Sequence, residues 1–394
     1  MRKTQHLLII CCCLVGDLLA EEKFIEDFSQ LVVSELIQNN IPGSAYVIVR
    51  GKNVLALETF GYTDFSKKHK INEDTVFRLA SVSKPFTATI TTMLAHENEL
   101  KLTEPIKKYI PHFNLASFGS ADKIQLRHIL SHTTGLLPNS YDNLLHERWS
   151  MDKIIRRFDR ITPICAPDQC YGYQNVAFGF LQYAIESSQS QSFSELLLDR
   201  IFRPLGMSNS SVGLASFYSN ANRAEPHELQ SYIKTGRYDS QGNEIRDYVW
   251  KKVQVNGDFY KVLPSAGINA SISDLGKWLI ANLGYQQDIL SDDLLVELTT
   301  PRIQTKRELK RRYWRQYLTD AYYGYGWRIY HLDEVPVIYH SGWVSGFRVD
   351  IGYSPKLDIG FAIMINAESN VINKITSSFW AKAIESNTSS IDDL

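Results

Sequence analysis

The sequence predicts an α/β protein whose sheet is assembled from both ends of the chain around a mostly helical insertion. Three observations predict it: an amphipathic helix and two β-rich runs near the start, a helical pattern from about Thr87 to Arg203, and a return to β-rich runs before a closing helix. Phe24, Phe28, Leu31, Val32 and Leu36 fall on one face of the first helix, which Asn39-Asn40 and Pro42-Gly43 bring to an end. The runs Ser44 to Val49 and Val54 to Phe60 flank Arg50-Gly51-Lys52-Asn53 and read as a hairpin.

Helical patterns follow over Ala88 to Glu99, Leu126 to Leu130, Val176 to Glu186 and Phe193 to Phe202, the last closed by Pro204. Strands return over Val335 to Tyr339, Phe347 to Tyr353 and Ile359 to Ile365, with Ser354-Pro355-Lys356 turning the chain, and a helix covers Val371 to Ile384. The expected domains are a discontinuous α/β unit over 21–95 and 205–386, a mostly helical unit over 96–204, and a polar tail over 387–394. The basic stretch Thr305 to Arg315 is expected to be a solvated helix face rather than a phosphate site.

At 394 residues the chain can form one large domain or two closely packed ones, because single cores stop growing near roughly 250 to 300 residues. Forty-two basic residues balance 43 acidic ones, so no uniform field draws it to nucleic acid. Arg2 and Lys3, the apolar run Leu7 to Val15, and Asp17-Leu18-Leu19-Ala20 before Glu21-Glu22 have the layout of a secretory signal peptide over residues 1–20. The expectation is export, to the periplasm in a Gram-negative cell, with cleavage after Ala20. An uncleaved anchor is the alternative, since Leu18 is bulky for its place. The run is too short to span a bilayer as a helix, so no stable membrane span is expected in the mature chain. Cys11-Cys12-Cys13 invites a lipid anchor, but Ile10 stands where a small residue belongs.

Without that segment the cysteines are Cys165 and Cys170, with the turn formers Pro167 and Asp168 between them. In an oxidising compartment they are expected to close a disulfide loop, free thiols being the alternative, and the spacing fits no zinc pattern. His128 and His132 stand four apart and would share a helix face, but no glutamate completes a zinc-protease pattern, so no metal and no organic cofactor is expected.

The sharpest chemical signal is Phe77-Arg78-Leu79-Ala80-Ser81-Val82-Ser83-Lys84-Pro85, a Ser-x-x-Lys at the start of a helix. That spacing puts Ser81 and Lys84 on one face, where a neutral lysine can take the serine proton and the helix N-terminus favours developing negative charge. Alone the motif is weak. Two more follow in order: Tyr173-Gln174-Asn175 in the middle, and His340-Ser341-Gly342 opening onto a strand.

With these three motifs, and with Leu126 to Leu136, Pro204-Leu205-Gly206-Met207, Pro264-Ser265-Ala266-Gly267 and Tyr323-Gly324-Tyr325-Gly326-Trp327, the sequence resembles the serine β-lactamase and penicillin-binding protein superfamily. The resemblance is to the branch holding class C β-lactamases, a D-Ala-D-Ala carboxypeptidase, D-aminopeptidases and esterases, and it covers nearly the whole mature chain. It implies a β-lactamase/transpeptidase-like fold, an antiparallel sheet flanked by helices with a helical domain inserted. It also implies an acyl-enzyme on Ser81, with Lys84 as activating neighbour and Tyr173 relaying protons to the leaving atom and the deacylating water. Asn175 would hold the substrate's amide side chain, Ser341, Gly342 and Trp343 would line the substrate site, and the backbone N–H groups of Ser81 and Trp343 would bind the oxyanion.

The departure from the class C pattern is His340, where those β-lactamases carry a lysine that meets the substrate carboxylate. A histidine is mostly neutral at pH 7, so the sequence points to peptidase or esterase relatives and to a small-molecule or peptide substrate: a D-amino-acid peptide, a β-lactam or an ester. A penicillin sensor that acylates without turnover is the rival from another class. Of the aromatic residues near the third motif, Trp343 and Tyr325 are the candidates for lining the cleft.

Overall fold

The run Ile359–Ile365, Ile-Gly-Phe-Ala-Ile-Met-Ile, has no polar side chain, and a run of that kind is stable as a strand only when both of its faces are covered. In the computed structural model, which describes residues 3–117, 119–238 and 244–392 with side chains from 21 to 387 within those ranges, every residue of this strand is buried. The strands, in chain order, are β1 (Gly43–Arg50), β2 (Asn53–Gly61), β3 (Phe77–Arg78), β4 (Ser211–Val212), β5 (His227–Tyr238), β6 (Glu244–Lys252), β7 (Ile268–Ala270), β8 (Ile303–Gln304), β9 (Asp320–Tyr323), β10 (Arg328–Leu332), β11 (Val335–Val344), β12 (Phe347–Ser354) and β13 (Ile359–Ile365).

Eight of them form one sheet in the order β2-β1-β13-β12-β11-β10-β9-β8, antiparallel at each pairing. The first hairpin therefore docks on the last strand, with Ser44 opposite Ile365 and Arg50 opposite Ile359. A smaller sheet joins β3, β7 and β4, and β5 with β6 forms a separate ribbon.

Helices cover both faces. Helix α1 (Lys3–Gln38) places Phe24, Phe28, Val32 and Leu36 against the sheet, each at most 8% exposed. Phe28 sits 5.4 Å from the ring of Phe361 and 5.1 Å from that of Phe379 in the closing helix Val371–Asp392, so both terminal helices share one apolar layer. That helix continues into the expected polar tail, because nothing in Asn387-Thr388-Ser389-Ser390 breaks it. Likewise α1 runs unbroken through Ala20; the side chains of Cys11 to Cys13 lie outside the described ones. Among the described residues no helix is long and apolar enough to cross a membrane.

On the other face lies α2 (Ser83–His96), whose residues from Ser83 to Leu94 are all buried. Within this buried helix Thr87 and Thr91 donate to the carbonyls of Pro264 and Thr87, whereas the Thr89 and Thr92 hydroxyls meet no partner among the described residues. Phe86 stacks at 4.1 Å on Trp278 of the helix Ile272–Ile280.

Two local expectations are corrected. The basic stretch is not a helix face: Thr305 to Arg315 is a turn with a short 3-10 segment, Glu308–Lys310, and its Arg311 and Trp314 point inward. His128 and His132 share no helix face either, because α3 (Leu126–Leu130) ends before His132, which takes a left-handed φ of 58°.

Candidate active site

Ser81 lies in a single 3-10 turn, Ala80–Val82, that runs directly into α2. Ala80 is held at φ 50°, a conformation an alanine adopts only under constraint, and it presents the next residue at the edge of the cleft. The constraint comes from β11. A side chain at Gly342 would place its Cβ 2.2 Å from the Leu79 carbonyl oxygen, so only glycine lets β11 lie this close to the serine turn. Gly326 makes a matching approach, since a Cβ there would meet the Lys84 carbonyl at 2.7 Å. Two of the sequence motifs are thus fixed against the first by missing side chains.

Lys84 is fully buried one helical turn on. Its Nζ donates to Ser81 Oγ at 3.5 Å, to Asn175 Oδ1 at 2.7 Å and to the Ser265 carbonyl at 3.2 Å, and it lies 4.6 Å over the Tyr173 ring. All three acceptors are neutral. Burial therefore dominates and pushes the lysine well below its usual pKa, Arg328 adding to the fall and Asp142 opposing it. Burial raises the Tyr173 hydroxyl to about 12, with Arg328 and the nearby Ser81 opposing the rise. At neutral pH this site holds a phenol beside a lysine whose hold on its proton is weakened by burial.

Behind Tyr173 stands the third motif. His340 is fully buried; its Nδ1 donates to the Ser341 carbonyl at 3.0 Å, and its Nε2 lies 3.3 Å from Arg328 and 3.1 Å from the Tyr323 hydroxyl. An arginine only donates, so Nε2 accepts and the ring is neutral. Burial, Arg328 and Lys84 all push its pKa well down. Arg328, 5.3 Å from the Tyr173 ring, is paired with Glu308 at 3.6 Å, and Glu308 also takes Arg311 and the Tyr330 hydroxyl. Glu308 lies in the stretch whose composition reads as a solvated helix.

The remaining expected site residues divide. Asn175 is in the cleft, but its Oδ1 faces Lys84 and its Nδ2 donates to Asp142 Oδ2 at 2.7 Å. Trp343 is 60% exposed beside the cleft, its Nε1 donating to Glu368 and its ring under Arg348. Tyr325 is buried under Arg302. Cys165 and Cys170 are joined in a disulfide. Their loop rests on residues 133–135, with Asp168 N–H donating to Thr133 and Ile164 N–H to Gly135.

The chain matches the Beta-lactamase family over residues 22–377. It belongs to that family. Among curated relatives, the family likeness extends to "Protein flp" of Staphylococcus aureus (strain MRSA252), 23% identical over 352 residues that make up 89% of this chain and 64% of that protein. It also extends to "Unguisins hydrolase ungD'" of Aspergillus campestris (strain IBT 28561), 25% identical over 87% of this chain and 61% of that protein. The chain thus spans less than two thirds of the length of these relatives. Among solved structures, the octameric penicillin-binding protein homologue from Pyrococcus abyssi superposes with a TM-score of 0.73 over 91% of this chain and 77% of that one, at 21% identity. The β-lactamase/transpeptidase-like fold, an antiparallel sheet flanked by helices, is therefore the fold of this chain.

Sequence reasoning missed Asp142, Glu308 and Arg328, and it weighed His132 only as half of a metal pair. His132 packs 4.3 Å from the Tyr173 ring, accepts from the Gln174 N–H, and is kept neutral by burial, Lys84 and Arg328. Arg328 follows Tyr325-Gly326-Trp327 directly, which is the signal that marks it; Asp142 and Glu308 carry none.

Proposed function

We propose that this member of the Beta-lactamase family is an exported serine hydrolase that cleaves an amide or ester through an acyl-enzyme on Ser81. The observation that carries the reading is the buried Lys84 within 3.5 Å of Ser81 Oγ, its Nζ 4.6 Å over the Tyr173 ring and its pKa pushed well down by burial. Neutral Lys84 takes the Oγ proton as Oγ attacks the carbonyl carbon. The oxyanion rests on the N–H groups of Ser81 and Trp343, donors of a kind worth roughly 3 to 4 kcal/mol each. Tyr173, protonated, hands its proton to the leaving atom and is reprotonated from Lys84; water then attacks the acyl carbon by the reverse proton path.

Peptides of D-amino acids are the first substrate class and β-lactams the next. A carboxylesterase is the second reading. What favours it is that His340 is neutral and Arg328 is engaged with Glu308, so neither of these two is free to meet a substrate carboxylate. The N-terminal segment to Ala20 serves as the export signal in this reading.

The test is turnover of nitrocefin and of p-nitrophenyl acetate by the mature protein and by Ser81→Ala. Serine-dependent hydrolysis of either is expected, and the ratio between them separates β-lactamase from esterase. Stable labelling by a fluorescent penicillin without turnover would make it a sensor instead, and full activity in the alanine variant would end the acyl-enzyme reading.

A further inference from the structure

Asp142 opens α4 (Asp142–His146) on the helical side of the cleft, following Tyr141 in a left-handed conformation. Its Oδ2 accepts from Asn175 Nδ2 at 2.7 Å, and Asn175 Oδ1 accepts from Lys84 Nζ at 2.7 Å. Its Oδ1 is buried and hydrogen-bonded to nothing among the described residues. Its own N–H donates to the Asn139 carbonyl, and the Asn139 N–H donates to the Tyr173 carbonyl at 2.7 Å, so the same short segment also holds Tyr173.

An asparagine amide can be turned either way, and here the carboxylate decides: it only accepts, so Asn175 Nδ2 faces Asp142 and Oδ1 is left to Lys84. We propose that Asp142 is a positioning residue that locks the Asn175 carbonyl onto Lys84 and sets a carboxylate on the far side of that amide from the lysine. This inference rests on the reading of Lys84 as the group that deprotonates Ser81.

The charged and titratable groups that face Lys84 come from several elements: Asp142 from α4, Arg328 from β10, His340 from β11, His132 from beyond α3, and Tyr173. Among these Asp142 supplies the negative charge; burial raises its pKa, and the Asn175 hydrogen bond, Lys84 and His146 oppose that rise. Asp142 is itself faced by Lys84 and His146, and His146 is held at 3.0 Å by Asp258. Removing the negative charge leaves Arg328 unopposed, so Lys84 loses its proton at lower pH.

The experiment reads the rate at which a fluorophosphonate labels Ser81 between pH 5 and 9. Oγ displaces fluoride from phosphorus, and the Oγ proton passes to Lys84. Because Lys84 accepts only when neutral, labelling by the unaltered protein rises with pH. In D142N, which preserves an acceptor for Asn175 but not the charge, the rise is expected to move about one pH unit toward acid. D142A, which also frees the Asn175 amide to turn, is expected to show the same displacement with a plateau lowered about tenfold further. D142E retains the charge and is expected to hold the rise in place, an expectation that stands even if D142N folds poorly. A D142N profile that is scaled down equally at all pH values, or is unmoved, overturns the positioning role while leaving Ser81 as nucleophile. No labelling of the unaltered protein at any pH overturns that nucleophile assignment and this inference together.

Discussion

Lys84 and Arg328 are both buried cations within reach of the Tyr173 ring, yet their surroundings drive them in opposite directions. Lys84 is surrounded by neutral acceptors, a hydroxyl, an amide and a carbonyl, and its proton affinity falls. Arg328 lies against the Glu308 carboxylate and its hold on the proton rises, even though burial alone would lower it. One side of the tyrosine is a place to put a proton, and the other is a fixed charge. Burial alone does not decide what a cation does in a site; the charge of its nearest acceptor does.

The comparison breaks most completely at Lys84. Replacing it with methionine, which fills similar space without a titratable group, is expected to lower kcat/KM by about 10³ to 10⁴-fold at every pH, with thermal stability held or raised because a desolvated amine is gone; stopped-flow acylation and a melting curve check both halves. On the opposite side, Glu308→Gln leaves the Arg328 guanidinium buried without its anion and is expected to destabilise the fold by about 3 to 5 kcal/mol in urea. Adding Arg328→Gln to that variant should recover at least half of the loss. An unchanged urea midpoint in Glu308→Gln would mean that the fixed charge is held by something other than this pair.

A smaller effect sharpens the same contrast. Both cations bear on His132 and His340, whose folded pKa values lie well below 6.5. Each histidine binds fewer protons folded than unfolded, so their contribution to stability is complete above about pH 6.5 and is lost as pH falls from there toward the depressed folded values. From pH 6.5 to 5.5 the expected loss is about 2 kcal/mol, seen as a melting temperature lower by about 2 to 4 °C. His132→Asn, tolerable at a left-handed φ, should roughly halve that acid-side loss. An unaltered slope would show that His132 is already free to protonate in the folded state.

The strongly patterned parts of the chain were legible. The first helix, the hairpin and the three final strands announce themselves through apolar spacing; the hairpin and the last two strands keep their bounds closely, while the helix extends back to Lys3 and the strand from Val335 runs on to Val344. The ribbon of β5 and β6 was not, because burial leaves its mark on composition and most of this ribbon is exposed: Ile233 and Tyr238 stand in solvent beside Lys234 and Arg237. In the site, Ser81, Lys84, Tyr173 and His340 were visible because backbone geometry fixes their spacing within short motifs. Asp142 and Glu308 were not, since each reaches the cleft from a remote stretch and its meaning comes wholly from what it meets. For Thr305 to Arg315 the composition misled: a run of basic residues ordinarily stays solvated, and here one of its arginines is drawn inward by Glu308, Tyr330 and Asn373.

The docking of β1 on β13 also constrains how the molecule comes into being. The hairpin is synthesised well before β13, the strand that completes it, with the whole helical insertion lying between them in the chain. Until then the centre of the sheet lacks a partner and α1 has no surface to lie on, so the native contacts cannot be made piecemeal during synthesis. Such distant pairing makes for slow folding and leaves edge strands open to misassembly in the interval. Shifting the start of the chain by circular permutation, so that β1 and β13 are translated consecutively, should shorten that exposed interval without altering the finished sheet.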